Sequence, residues 1–514
     1  MRAPILPSLF SVLLLLSGFA PAARAVQAEQ AAVQAVRELR AAAGHELLAE
    51  FAELLALPND PARPEGVAAN ARWIVEAFAA RGARMRIVEL PGAAPLVIGR
   101  LDAPGAERTL GVYVHYDGQP VDAARWTFPP FEPTLCDAAL EAGGAPRALP
   151  EAGEPIDPEW RLYARGSGDD RAPLIAWLEA LDALERAGLP RRTNLVFLFE
   201  GEEEVGSPHL GDYLSAVGEE LGCDLWLIND GPVHSTRRPQ LVFGVRGIVG
   251  CEFEVYGAGR PLHSGHYGGW APNAAAELGQ LVAALRSPEG RVLVEGFYET
   301  VAPVSAAERA ALAALPVPDE ALRDELSLGR VEGEGETLAE RLLLPSLNVR
   351  GLQSGNVGAL ARNVIPSRGT LSIDLRLVPG NEPQDMLDRV ERHLEQRGYT
   401  LVREEPDADF LRAHERVLRV TRERGYPAAR APLDHPLVPR LARAVQAAAG
   451  EPPLLVPSLG GSLPLYLFEQ HLGVPALIVG IANHDNNQHA PDENIRLANL
   501  FYGCELFAAL LAAP

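Results

Sequence analysis

The residues best equipped for chemistry in this chain are acidic residues and histidines that follow short apolar runs. His115 and Asp117 come directly after Leu110–Val114. Glu202, Glu203 and Glu204 follow Asn194–Phe199, with Gly201 between. Asp230 follows Leu225–Ile228, and His484, Asp485 and His489 follow Ala476–Gly480. Imidazole and carboxylate donors without cysteine suit a hydrolytic zinc or manganese site. Such a site also needs a carboxylate as base toward the attacking water, and two adjacent glutamates could divide metal binding from proton transfer. His115 with Asp117 fits the pattern in which a carboxylate orients a ligating imidazole.

The apolar runs read as buried strands. They alternate with helical segments at 30–57, 66–82 and Leu174–Ala187. That order predicts an α/β catalytic domain: a mostly parallel sheet with helices on both faces. Ligands of such sheets bind outside the carboxyl ends of the strands, where the acidic residues and histidines fall. The middle of the chain differs. Cys251–Tyr256 and Gly369–Val378 alternate like half-exposed strands, Pro272–Arg286 and Pro383–Arg397 are helical, and 303–345, rich in Ala, Glu and Leu, reads as helical. This predicts an α+β lid or dimerisation domain at 246–430, inserted between two catalytic parts at 26–245 and 431–514.

Composition excludes several functions. The net charge of -22 disfavours sequence-independent nucleic-acid binding and docking on anionic lipid. All 46 basic residues are arginine, so lysine Schiff-base and P-loop chemistry are ruled out. Cys136, Cys223, Cys251 and Cys504 form no C-x-x-C pair and read as buried apolar residues. Arg2, the apolar run Leu9–Leu16 and Ala23-Arg24-Ala25 read as a signal peptide over 1–25. The expectation is a periplasmic or secreted protein with no membrane association once the signal is cleaved.

Eight ordered segments resemble the co-catalytic dizinc metallopeptidase family of carnosinase, peptidase V, aminoacylase and glutamate carboxypeptidase G. They are His115-Tyr116-Asp117, Arg165 to Asp170, Glu203 to Ser207, Asn229-Asp230, Leu262 to Gly265, Asn363 to Pro366, Gly460-Gly461-Ser462 and His489. The resemblance implies two divalent ions, zinc with manganese or cobalt as alternatives. Asp169 would bridge them, His115 and Asp230 would complete one site, and Glu204 and His489 the other. Glu203 would be the general base and Asp117 the partner of His115. The resemblance further implies a homodimer in which His263 serves the partner's active site as an oxyanion donor. Arg376 would hold the substrate carboxylate, and Asn363 and Ser462 would make further substrate contacts.

Asp230 and the run His263 to Gly269 resemble the carnosinase-like dipeptidase branch most closely. Two positions depart from the family pattern. Arg171-Ala172 stands where Lys-Gly is usual, and Leu459 where carnosinase-like members carry a glutamate for the substrate's amino group. The expected activity is therefore hydrolysis of dipeptides or short peptides with a free C-terminal carboxylate. The alternatives are an N-acyl-amino-acid deacylase, a glutamate-type carboxypeptidase or, more distantly, a non-catalytic exported binding protein. Plainer roles stand beside the functional ones: Asp117 or His263 as a turn residue, Glu202 as a helix start, Arg376 as a structural salt bridge, and His266, His435, His484 and Asp485 as loop or helix-start residues.

Overall fold

The computed structural model describes residues 10–316, 319–333, 335–461 and 463–513. The chain divides into two compact units. The first comprises residues up to Phe243, with Ala431–Leu455 and Leu467–Pro514; the second comprises Gly244–Arg430 and Val456–Tyr466. The segment around Gly460-Gly461 therefore belongs with the inserted unit, although the expected boundary placed it in the catalytic part.

The first unit is built on eight strands: β1 (Arg84–Val88), β2 (Leu96–Leu101), β3 (Thr109–His115), β4 (Asn194–Glu200), β5 (Leu225–Ile228), β6 (Gln240–Val242), β7 (Leu454–Val456) and β8 (Ala476–Ile478). Their order is β1-β2-β4-β3-β5-β8-β6-β7. The four central strands β4, β3, β5 and β8 are mutually parallel. The β1–β2, β2–β4 and β8–β6 pairs are antiparallel. Parallel strands covered on both faces must be apolar throughout, and β5 is buried along its whole length.

Helices cover both faces of the sheet. Phe10–Leu55, Ala172–Arg186, Val438–Ala449 and Leu497–Ala512 pack against one another. Trp177 stacks on Phe507 at 4.1 Å, a contact worth about 0.5–1.5 kcal/mol beyond its buried area. Phe468, in the helix Leu465–Leu472, packs against Tyr113 and Trp226. Helix Pro64–Ala80 begins with proline in its first turn and inserts Phe78 against Phe197 and Phe199. Among the described residues, no helix is long and apolar enough to cross a membrane.

The inserted unit carries a five-stranded sheet in the order 346–353, 368–377, 247–256, 417–422, 400–402. Strand Gly247–Tyr256 alternates as its sequence predicts. Cys251, Phe253 and Val255 enter a core with Leu278, Leu281, Met386 and Val390 from two helices, while Glu252 stays exposed. Among its described residues, the segment expected to be helical over 303–345 contains three short helices: Ala306–Ala314, Asp319–Glu325 and Leu338–Arg341. All four cysteines are free thiols, and Cys136, Cys251 and Cys504 are buried.

Candidate metal centre

The four parallel strands deliver their side chains to one rim. His115 is the last residue of β3, and Asp230 lies just beyond β5. Glu203 and Glu204 sit in a single 3-10 turn, Glu203–Val205, after β4, and His489 lies in the loop that follows β8. Asp169 comes from a turn between strand Arg161–Tyr163 and helix Ala172–Arg186, not from a strand of the main sheet. That turn needs a glycine. Gly166 has φ +78°, and a Cβ there would fall 2.5 Å from the guanidinium of Arg171.

Asp169 lies at the middle of the cluster. His115 Nε2 is 2.9 Å from Asp169 Oδ1 and 3.9 Å from Asp230 Oδ2. His489 Nε2 is 3.1 Å from Asp169 Oδ2 and 3.2 Å from Glu204 Oε2. The five residues thus form two groups sharing one carboxylate. On the far side of the His115 ring, Nδ1 is 3.4 Å from Asp117 Oδ1. Asp117 also accepts hydrogen bonds from the backbone amides of Glu203 (3.2 Å) and Glu204 (3.1 Å). One buried carboxylate therefore faces an imidazole at ion-pair distance and anchors the turn that carries both glutamates.

By themselves these side chains place far more negative than positive charge in a buried space. Burial, then Asp169, pushes the Asp230 carboxyl up to about 7. Burial, with Asp230 and Glu204 nearby, holds Glu203 well above the usual carboxylate range. Burial would depress His115, but Asp117 and Asp169 overcome it and raise the imidazole well above its ordinary value. Hydrogen bonds to Asp169 and Glu204 raise His489 to about 10. Burial opposes ionisation of Asp169, yet the two histidines hold its carboxyl below its ordinary value. Each shift is the response of a site that needs positive charge.

The donor set fits divalent cations. His115, Asp169 and Glu204 have ligand atoms within 4.8 Å of one another, and so do His115, Asp170 and Asp230. Glu204 Oε1 and Asp170 Oδ2 are buried without a hydrogen-bond partner. Orphaned carboxylate oxygens beside imidazole nitrogens are the donors a zinc-like ion takes. His115, Asp169, Asp230, Glu204 and His489 would hold such ions.

Several neighbours escaped the sequence reading. Gln119 donates to Glu204 Oε2 at 2.8 Å and Gln488 to Asp169 Oδ2 at 3.1 Å. Amides carry no charge signal, so only spacing from Asp117 or His489 could have drawn attention to them. Asp170, the last residue of the Arg165 to Asp170 segment, adds a further buried carboxylate beside Asp230. Glu202 is no solvated helix start: it accepts from Ala94 N and pairs with His209, each at 2.8 Å. Arg171, the departure from the usual lysine, is buried and donates to the carbonyls of Leu54 and Leu57 and to Asn70. Asp485 pairs with Arg161 and Arg496. His435 accepts from Leu437 N at a helix start.

The expected substrate residues lie in the inserted unit. His263 Nδ1 accepts from Gly265 N at 3.1 Å, so the imidazole opens its own turn. Asn363 lies beside it, because Ser264 N donates to the Asn363 carbonyl at 3.0 Å and His263 pairs with Val364. Both side chains are exposed. Arg376 sits on strand Arg368–Leu377 with Nε 3.2 Å from Asp374. Leu459 N donates to Gly244 O at 2.9 Å, which fixes the start of its loop. Ser462 lies outside the described residues.

Residues 111–513 match the model of a family described as Peptidase family M20/M25/M40. The chain is 26% identical over 463 residues to a Cys-Gly metallodipeptidase of Schizosaccharomyces pombe, spanning 87% of this chain and 90% of that protein. It is 25% identical over 421 residues to the human Beta-Ala-His dipeptidase, spanning 81% of this chain and 76% of that protein. An M20 family metallo-carboxypeptidase structure from Sulfolobus solfataricus superposes with a TM-score of 0.70 at 26% identity, covering 91% of this chain and 99% of the other.

Proposed function

The chain belongs to peptidase family M20/M25/M40, and on that premise we propose that it hydrolyses dipeptides or short peptides bearing a free C-terminal carboxylate. It is a metallopeptidase. The observation that carries the substrate reading is Asp169, shared between His115 and His489 at 2.9 and 3.1 Å, with Asp230 and Glu204 flanking, in a chain whose relatives include named dipeptidases. His115, Asp169 and Asp230 would hold one divalent ion, and Asp169, Glu204 and His489 a second; zinc is the proposed metal, with manganese or cobalt as alternatives. Bound there, such a pair would supply Lewis-acid polarisation of the scissile carbonyl and activation of the attacking water.

The remaining steps fall to side chains. The Glu203 carboxylate takes the proton of the attacking water and returns it to the leaving amine. Burial favours the protonated form that this transfer creates. Asp117 keeps His115 in orientation through Nδ1. Arg376 binds the substrate carboxylate through its guanidinium fork, with Asn363 and Ser462 as further contacts. His263 donates to the developing oxyanion of a partner subunit. A homodimer is supported by apolar side chains left open on the inserted unit, Trp270 at 81% exposure and Val357 at 86%. The Arg2, Leu9–Leu16 and Ala23-Arg24-Ala25 pattern supports export.

Leu459 favours a second reading, in which the amino side of the substrate is acylated. Comparing turnover of free dipeptides with N-acyl amino acids separates the two. Turnover of dipeptides is expected; cleavage of acylated substrates alone would overturn the dipeptidase reading.

A further inference from the structure

We propose that Glu493 is a positioning residue for the metal centre, setting the turn that presents Asp169 and tying it to the loop that carries His489. Its carboxylate is fully buried. Oε2 accepts from Arg165 Nη1 at 2.6 Å and from Gly166 N at 2.9 Å, and Oε1 accepts from Gly168 N and Asp169 N, each at 2.9 Å. Four donors converge on one side chain. Four donors converging on two oxygens suit a carboxylate, which in its ionised form offers acceptors only. Burying that charge is costly without such partners, so the cage and the charge require each other.

What the cage grips is the backbone immediately before the shared ligand. The amide of Asp169 is itself one of the donors, so the grip reaches the residue whose side chain meets both histidines. The other end of Glu493 lies four residues after His489. Arg165 Nη2 reaches Ala490 O at 3.4 Å, Ala164 N donates to Glu493 O at 3.1 Å, and Asn494 N closes the loop on Asn486 O at 2.9 Å. One side chain thus links two loops that each supply a candidate ligand. An outer partner of this kind changes metal affinity by about 10–100-fold when removed.

The inference rests on Asp169 and His489 being metal ligands, and its test separates the two claims. Zinc is titrated into metal-stripped full-length protein against a chromophoric chelator. The proteins compared are wild type, Glu493→Gln, Glu493→Asp and Leu506→Ala, the last a destabilised control altered in the buried helix Leu497–Ala512. Glu493→Gln is expected to bind zinc about 10–100-fold more weakly, with substrate KM unchanged at saturating zinc. Glu493→Asp is expected to recover part of the loss. Leu506→Ala is expected to lower Tm and leave zinc affinity alone. Wild-type affinity in Glu493→Gln, or an equal loss in Leu506→Ala, overturns the positioning role. Should Glu493→Gln not fold, Glu493→Asp carries the test by the same two outcomes. A wild type that takes up no zinc overturns the metal-site reading itself.

Discussion

In the first unit, each of the five candidate ligands lies within 4 Å of another, and buried partners brace them from behind. In the inserted unit the candidate substrate residues are held differently. His263 and Asn363 are fixed by backbone pairing while their side chains stay exposed. A metal centre must be preorganised, because misplaced carboxylates repel one another and coordinate poorly. A substrate contact needs only a defined backbone, since the substrate orders the side chain. On the proposed roles, substitutions in the first unit should act on metal binding and kcat, and those in the inserted unit on KM with metal retained.

The largest break in that comparison comes from Glu203, which belongs to the first unit but is not a proposed ligand. Glu203→Gln should retain both metals and lose about 100- to 10,000-fold in kcat, the usual contribution of a general base. Metal analysis alongside steady-state kinetics checks both halves. Full turnover in the variant would remove Glu203 from the mechanism. Loss of metal would instead make it a ligand.

The inserted unit makes the opposite prediction. Arg376→Met should raise KM by about 10- to 100-fold, corresponding to loss of a charged hydrogen bond worth roughly 1.5–3 kcal/mol. Metal content should not change. Arg376 Nε also meets Asp374, so a purely structural salt bridge would give a different signature: a lower Tm with KM unmoved. Measuring both quantities on one variant decides between the two roles.

Much of this division was legible in the sequence, and the reasons differ by region. Strands β3, β4, β5 and β8 were readable because parallel strands buried on both faces must be continuous apolar runs. His115 and Asp230 were readable because they stand at the ends of those runs, and Glu204 and His489 because they lie in the loops that follow. Asp169 could be reached only through resemblance, since its turn follows no strand of the main sheet. Glu493 left no signal at all: its role depends on four donors brought together from residues more than three hundred positions away. Gln119 and Gln488 were silent for another reason, because neutral amides look like surface residues until folding sets them against carboxylates. The short helices within 303–345 show in the sequence only as helical composition. Composition carries no boundaries, whereas the capping residues Ser305 and Thr337 do.

The charge on the first unit sharpens the comparison through pH. The Asp230 carboxyl is pushed from 3.8 to about 7 by burial and Asp169, and His115 is raised well above its ordinary value. A raised folded-state value means the folded protein binds the proton more tightly than the unfolded chain. Asp230 therefore contributes stability that is complete below 3.8 and lost as pH rises to about 7. Metal-stripped protein should lose Tm across that window, and added metal should reverse the loss. Bound cations must also displace these protons, so apparent metal affinity should rise by about tenfold per pH unit for each proton released. Calorimetry in buffers of different ionisation enthalpy counts those protons. A proton count of zero near neutrality would contradict the charge state assigned to His115 and Asp230. Arg376→Met should leave the count unchanged.

The smallest effect is the most informative about substrate. Leu459 lies in the inserted unit, its amide held by Gly244 O at 2.9 Å, so the backbone of its loop is set before the side chain is chosen. Leu459→Glu should therefore keep the loop and add only a carboxylate. If the amino side of the substrate passes near this residue, the new charge attracts a free ammonium and repels nothing on an acyl group. An exposed charge pair is worth about 0.2–1 kcal/mol, so kcat/KM for free dipeptides should rise only a few-fold relative to N-acyl amino acids. Added salt should erase the gain, because screening weakens exposed pairs first. Metal content and proton release should match the wild type. An unchanged substrate ratio at low salt would show that the amino side is read elsewhere, and would leave Leu459 as packing for its loop.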